Sequence, residues 1–400
     1  MTRRLPASSG YRRLPIGIWG LGFVSMSMDI SSELVHALLP IFMASVLGTS
    51  IATIGIIEGL AEGAAAATKV FSGAISDYCG KRKLLAVGGY ALSAVAKPIF
   101  PLATTIGWVF GARFIDRIGK GIRGAPRDAL VAEIAPLPLR GAAYGLRQSL
   151  DSVGAFIGPL MAIVFMIWFA NDIRAVLWVA VPPAIIAVFL LIATVHEPDR
   201  PDRAADSRNR LTLADTKRLP MRYWRIVVLG AVFTLARFSE AFLILRAQDA
   251  GLAITYVPMV MIIMNICYSV FAYPLGMAAD RYSARILLVF GLALLVVADV
   301  ILAMAVSPWI IFAGAAFWGL HMAFTQGLLL KLVADNAPAD LRGTAFGVFN
   351  LVSGVAIFLA SAIAGSLWTA FGASATFLAG ASFAILAVMG LLFYRPGGKS

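Results

Sequence analysis

Charge is what this sequence has least of. Asp, Glu, Lys and Arg make up 14% of its 400 residues, where a soluble domain carries about a quarter. Cysteine is nearly missing: Cys79 falls in a short basic loop and Cys267 in an apolar run, which excludes a disulfide framework and a cysteine-based metal site. His36, His196 and His321 are the only histidines, and they are scattered. No nucleotide-binding P-loop, HExxH helix or Ser-His-Asp arrangement occurs, so an ATP-driven pump and a membrane hydrolase lack their parts. The chain reads as a non-enzyme needing neither metal nor cofactor. In place of charge stand 60% hydrophobic residues and a mean hydropathy of +0.86. They form long Leu/Ile/Val/Ala/Phe runs, each able to cross a bilayer at about 20 residues per span. These features exclude a soluble enzyme, a disordered chain and a nucleic-acid-binding domain. The fold class is an all-α polytopic membrane protein whose first partner is the lipid bilayer.

Apolar runs between polar punctuation predict spans at 16–46, 51–76, 84–105, 107–127, 141–167 and 174–195. A second set lies at 224–246, 253–279, 285–306, 309–334, 343–370 and 373–394. The resulting organisation is a six-helix bundle over 1–195, a cytoplasmic linker over 196–222 and a second six-helix bundle over 223–400. The linker is the one long polar stretch and carries a candidate interfacial helix near Leu211–Leu219. The first span is expected to be retained, because the run after Arg12 and Arg13 is long for a signal peptide and holds Asp29 and Glu33.

The net charge of +12 would suggest nucleic acid in a soluble protein. Here the cations fall in alternate loops, as membrane topology requires, and no nucleic-acid partner is implied. Lys81-Arg82-Lys83, Arg140, the linker, Arg281, Arg285 and Arg342 lie on one side with both termini, while the opposite loops are almost chargeless. Both termini are therefore expected in the cytoplasm, with the chain multi-pass in the inner membrane.

The two bundles repeat. LVAEIAPLPLRGAAYG (130–145) aligns with LVADNAPADLRGTAFG (332–347) at an offset of 202, and GAISDYCGKRKLL (73–85) with GMAADRYSARILL (276–288) at 203. SSEL (31–34) has a looser echo in FSEA (238–241). Paired helical repeats of this kind are an architecture of secondary transporters.

GAISDYCGKRK resembles the second-to-third loop signature of the major facilitator superfamily, Gly-x-x-x-Asp-Arg-x-Gly-Arg-Arg/Lys. Gly73, Asp77, Gly80, Lys81 and Arg82 match, with Tyr78 at the usual Arg; Gly276, Asp280 and Arg281 match at the equivalent place, with Ser283 at the second Gly. The resemblance implies twelve helices in two pseudo-symmetric bundles. It also implies a conformational latch in which Asp77 and Asp280 cap a helix of the other half. The plainer alternative is that these loops only fix topology. RFIDRIGKG (113–121) resembles the family's fourth-helix motif Arg-x-x-Gln/Asp-Gly through Arg113 and Asp116, with Arg117 at the Gly. GAFIGP (154–159) partly resembles its antiporter motif through Gly154, Gly158 and Pro159, while Met161 and Ala162 replace the final glycines.

Ionisable residues inside spans are costly and mark function by default. Arg113, Asp116, Arg117, Lys120, Arg123 and Arg127 fall on one helical face; Arg123 and Arg127 are expected at the cytosolic edge, snorkelling. Asp29, Glu33 and His36 share a face of the first helix, Glu58, Glu62 and Lys69 one of the second, and Arg147 and Asp151 one of the fifth. At offset 202 the deep cations and acids become Ala315, Trp318, Gly319, Met322, Phe349 and Ser353. The expectation is a gating scaffold common to both halves and proton or substrate handling in the first, at Asp29, Glu33, Arg113, Asp116, Arg117, Arg147 and Asp151. The plainer alternative is static ion pairs. The second half offers a sparser set: Arg237, Glu240, Arg246, Asp299, His321 and Lys331.

The functional expectation is a secondary active transporter that moves a small-molecule substrate by alternating access, as a monomer, with protons as the coupling ion and export by antiport. The alternatives are a symporter or uniporter for an organic anion or metabolite and, outside transport, a membrane sensor.

Overall fold

A computed structural model describes residues 14–79, 81–197, 216, 218–338 and 341–393. The expected interfacial helix near Leu211–Leu219 lies largely outside the described residues. The helices are α1 Ile16–Ile41, α2 Ile51–Cys79, α3 Arg82–Ala96, α4 Ile99–Leu102, α5 Ile106–Ile134, α6 Arg140–Trp168, α7 Ile173–Trp178 and α8 Val181–Thr194. They continue as α9 Met221–Leu235, α10 Ala241–Asp249, α11 Met259–Arg281, α12 Ala284–Ala303, α13 Pro308–Asn336, α14 Arg342–Phe371 and α15 Ala373–Phe393. Pairing α3 with α4, α7 with α8 and α9 with α10 gives twelve spans, and no strand occurs among the described residues.

Three predicted spans are discontinuous, and local chemistry explains each break. Pro98 has no N–H to return to the preceding turn, so α3 stops at Ala96 and restarts at Ile99. Pro182 and Pro183 sit at the start of α8, where a missing N–H costs little, so the chain turns between α7 and α8. The span predicted over 224–246 contains no proline, yet it opens over Ala236–Glu240 between α9 and α10. There the Ser239 hydroxyl accepts from the Ala241 N–H at 3.3 Å, and the Ser361 hydroxyl accepts from the Ser239 N–H at 3.1 Å. Side chains thus supply the partners that a continuous helix would have supplied. After Pro40, α1 ends in a π-helical turn, Phe42–Val46.

Among the described residues, ten spans are long and apolar enough to cross a membrane on length and composition alone. The remaining two are α5, which carries the charged stripe, and the broken α9/α10 pair. A span containing either feature has to meet its polar groups with protein rather than lipid.

The chain divides into two compact units. One gathers the described residues of Met1–His36 and Thr68–Arg210; the other gathers those of Ala37–Ala67 and Leu211–Ser400. In the first, Ile18, Leu21, Val24 and Met28 of α1 pack with Ala86 and Tyr90 of α3, Leu130 and Val131 of α5, and Ala184, Ala187 and Leu191 of α8. In the second, Gly59 and Gly63 of α2 meet Phe358 and Gly354 of α14: a β-carbon on Gly63 would stand 3.0 Å from the Gly354 carbonyl oxygen. Small residues at such a seam let two backbones approach, and dispersion then holds them.

Both units tie off the same helix ends. The Lys83 ammonium donates to the Ile192 carbonyl at 3.0 Å in the first unit, and the Arg285 guanidinium donates to the Leu392 carbonyl in the second. A cation beside C-terminal carbonyls satisfies acceptors the helix leaves open. These paired contacts give the sequence repeat a physical counterpart.

Candidate functional site

The charged residues of the first unit converge on one side of α1. Asp29 and Glu33 stand one turn apart, and Gly154 and Gly158 of α6 lie directly against them. A β-carbon on Gly154 would be 3.0 Å from the Asp29 Cβ, and one on Gly158 would be 2.9 Å from the Glu33 Cβ. The two glycines of the antiporter-like segment are therefore what lets α6 approach α1 at these two residues; Pro159 follows within the same helix. Both carboxylates keep partial exposure. The charged groups acting on Asp29 are Asp151, Lys120, Glu33 and Arg127. Those acting on Glu33 are His36, Lys120 and Arg117, and the His36 ring nitrogen Nδ1 lies 3.6 Å from its carboxylate.

Asp116 is held differently. Its Oδ1 is 2.9 Å from the Lys97 ammonium, which also donates to the Ser32 hydroxyl at 3.1 Å. Lys97 is wholly buried and Asp116 is 2% exposed. Lys97 is the functional candidate that the sequence reading missed. It sits where Pro98 interrupts the third span, and the interruption aims its side chain across to α5 and α1. Glycines permit the crossing, since a β-carbon on Gly89 of α3 would be 2.8 Å from the Gly119 carbonyl oxygen of α5.

The stripe on α5 forms a single face as expected, and its parts differ in environment. Arg113 and Arg117 are buried, and with Lys97 and Arg123 they surround Asp116 electrostatically. Lys120 is exposed. The expectation that Arg123 snorkels is corrected: it is 4% exposed, donates to the Ser93 hydroxyl at 2.5 Å and lies 4.9 Å from the centroid of the Tyr90 ring. Ser93 and Tyr90 belong to α3, so an acceptor and an aromatic face replace water for this guanidinium. Arg127 donates to the Ser25 hydroxyl at 3.1 Å and pairs with Asp128. Arg147 and Asp151, which share a face, form an ion pair at 2.5 Å, and Asp128 stands 3.8 Å from the same guanidinium.

In the loop signature, Arg82 pairs with Glu133 at 2.8 Å, and its backbone N–H donates to Glu197 at 2.7 Å. Glu197 thereby caps α3, whose exposed N-terminal flank is Lys81. Gly73 packs near Ala125 of α5. Gly80 lies outside the described residues, as do the side chains of Asp77, Asp280 and Arg281 and the surroundings of Gly276.

The equivalent face of the second unit is apolar. Ala315, Trp318 and Met322 are buried, and Gly319 packs against Met264 and Cys267 of α11. Arg237 and Glu240 pair at 3.4 Å across the open stretch between α9 and α10. Phe238 from that stretch enters an aromatic cluster with Phe242, Trp318 and Phe377.

A sequence model of the Major Facilitator Superfamily matches residues 21–246 and 226–400. An MFS-type transporter of Methanocaldococcus jannaschii is 32% identical over 391 residues, covering 96% of each chain. The inner membrane transport protein YajR of Escherichia coli is 24% identical, over 92% of this chain and 80% of its own. Among solved structures, the nucleoside transporter NupG superposes with a TM-score of 0.76 at 15% identity, covering 94% of this chain and 99% of the other.

Proposed function

The chain belongs to the major facilitator superfamily and is a membrane transporter, and on that premise we propose that it couples solute export to protons through Asp29 and Glu33. The observation that carries this reading is the close approach of Gly154 and Gly158 to α1 at Asp29 and Glu33. Movement of α6 along α1 would change the hydration and neighbours of both acids, and a carboxylate exchanges its proton when those change. Asp116 suits the role less well, because Lys97 holds it closed from water. We place Arg147 and Asp151 beside the carriers as a pair that remakes as α6 moves, and Arg113 and Arg117 as the cations facing the solute. The moving bodies are the bundles 1–195 and 223–400, joined by the linker 196–222. Gly73, Asp77, Gly80, Lys81, Arg82, Gly276, Asp280 and Arg281 act as the latch. The chain works as a monomer in the inner membrane with cytoplasmic termini.

One observation favours a second reading, in which the solute is an organic anion carried by symport or uniport. Lys97, Arg113, Arg117 and Arg123 gather around Asp116, and guanidinium groups clustered in this way suit bidentate recognition of an anionic ligand.

Reconstitution in proteoliposomes, with a panel of solutes and with or without an imposed pH gradient, tests the reading. Gradient-driven movement should be lost in Asp29→Asn or Glu33→Gln, while solute exchange at equal pH persists. Wild-type gradient response in both variants would overturn it.

A further inference from the structure

The repeat places an acid in the second unit where the first has its buried lysine. The helix starts Thr105–Ile106 and Ser307–Pro308 fix the offset at 202 in this region. The glycine crossings agree, since Gly89 meets α5 at Gly119 and Arg123, while Gly291 meets α13 at His321 and Thr325. At that offset Lys97 becomes Asp299 and Asp116 becomes Trp318. The first unit matches its cation with a carboxylate; the second sets a carboxylate opposite an indole.

Asp299 is 0% exposed and neither carboxylate oxygen has a hydrogen-bond partner. The indole N–H of Trp318 is likewise buried and without an acceptor. Gly380 of α15 makes the room: a β-carbon there would lie 2.7 Å from Asp299 Oδ2 and 3.0 Å from Cε1 of Phe238. Phe238 is thus the side chain closing over the carboxyl, and it belongs to Ala236–Glu240, the stretch where the seventh span leaves the helix.

Of the described charged groups on α12, α13, α15 and the segment Ala236–Asp249, Asp335 is exposed near the far end of α13 and the others are engaged elsewhere. Arg237 and Glu240 pair with each other. Arg246 donates to the Leu302 and Ala305 carbonyls and pairs with Asp249. His321 binds the Gly291 carbonyl, eight residues and about 12 Å along α12. Arg285 stands at the far end of that helix, donating to Leu392, and α15 has no ionisable residue. An ionised carboxylate closed from solvent and without a protein partner inside a membrane span is prohibitively costly, whereas the neutral acid is not.

We propose that Asp299 is a proton-binding site of the second unit, carried as a neutral carboxylic acid beneath Phe238 and exchanging its proton when Ala236–Glu240 moves. The ligand is the proton alone: it adds to one carboxylate oxygen and leaves to water admitted past Phe238. This site is separate from Asp29 and Glu33. Its test reads a bond vibration rather than transport, so its failure and that of the export reading are distinguishable.

The experiment is infrared spectroscopy of the purified full chain in lipid nanodiscs, following the C=O stretch of protonated carboxylic acids. Wild type should show a band that Asp299→Asn removes and Asp299→Glu shifts. Transfer to D2O should shift the wild-type band slowly, and several-fold faster in Phe238→Leu. Asp299→Asn should melt like wild type, because the amide is a neutral isostere. Identical carbonyl regions in wild type and Asp299→Asn would overturn the proposal, since the acid would then be ionised. A band that never shifts in D2O, in wild type or Phe238→Leu, would overturn it equally, as a sealed acid binds no exchangeable proton. A folded wild type beside an Asp299→Asn variant that does not fold would also count against it.

Discussion

The Lys97 ammonium lies 2.9 Å from the Asp116 carboxylate at one end of the contact between α3 and α5, and both side chains are closed from solvent. The pair joins helices within one unit, and Ser32 brings α1 into it. A buried pair of this kind contributes little net stability compared with apolar residues of the same size, yet removing one partner is severe. What it adds is registry between α3 and the two helices that present Asp29, Glu33 and the arginines of α5.

This asymmetry gives the first prediction. Lys97→Met and Asp116→Leu should each destabilise the protein by about 3–5 kcal/mol, because each takes away one partner of a buried charge pair. The double variant should recover most of that loss. Melting in detergent for the four members of the cycle checks it; additive losses in the double variant would show that the two groups do not interact.

Much of this was readable beforehand, and the failures are instructive. Span positions, the α5 stripe and the Arg147–Asp151 and Arg237–Glu240 pairs follow from hydropathy and from helical spacing within one element. Lys97 escaped because a single cation in an apolar run has no periodic partner; its partners Asp116 and Ser32 come from other helices. Arg123 was misread for the same reason, since Ser93 and Tyr90 belong to α3. The opening at Ala236–Glu240 was invisible because five residues without helix barely alter hydropathy over a whole span. Its one local sign, Ser239-Glu240 before an apolar segment, is also an ordinary helix start.

The second prediction concerns the contact of α6 with α1. Gly154→Ala would place a methyl 3.0 Å from the Asp29 Cβ and 2.6 Å from the Met26 carbonyl oxygen; Gly158→Ala would place one 2.7 Å from the Ile30 carbonyl oxygen. Backbone cannot rotate away as a side-chain tip can, so α6 must shift. Each variant should cost about 1–3 kcal/mol and lower gradient-driven transport more than exchange. Wild-type transport by both would show that the close approach has no part in coupling.

A third prediction comes from the helix ends opposite Lys83 and Arg285. Arg174 donates to the Pro101 and Ala103 carbonyls at 3.0 and 2.7 Å, and Arg246 donates to those of Leu302 and Ala305 at 2.9 and 2.7 Å. The Ala103 and Ala305 carbonyls are repeat-equivalent, while the two arginines come from different spans. Replacing either by Leu strands part-buried acceptors, each worth about 1–3 kcal/mol. Arg246→Leu should melt clearly below wild type, since it also takes away the partner of Asp249. Equal melting of wild type and Arg246→Leu would show that the carbonyls find other donors.

The last prediction separates charge from shape at Arg113. This residue is 1% exposed and acts on Asp116 from the same helical face. Its counterpart Ala315 is buried in the second unit, so the fold accommodates an apolar residue at this position without a cation. Asp116 keeps Lys97 at 2.9 Å whatever stands at 113. Arg113→Ala should therefore lower the melting temperature less than Lys97→Met while abolishing transport. Arg113→Lys retains the charge but loses the planar fork that matches a carboxylate or phosphate. It should keep the fold and weaken solute affinity by about tenfold, the loss of roughly one charge-assisted hydrogen bond. Solute transport measured beside melting temperature decides the matter. Normal transport by Arg113→Ala would make the residue a bystander, and a collapse in stability equal to that of Lys97→Met would make it structural.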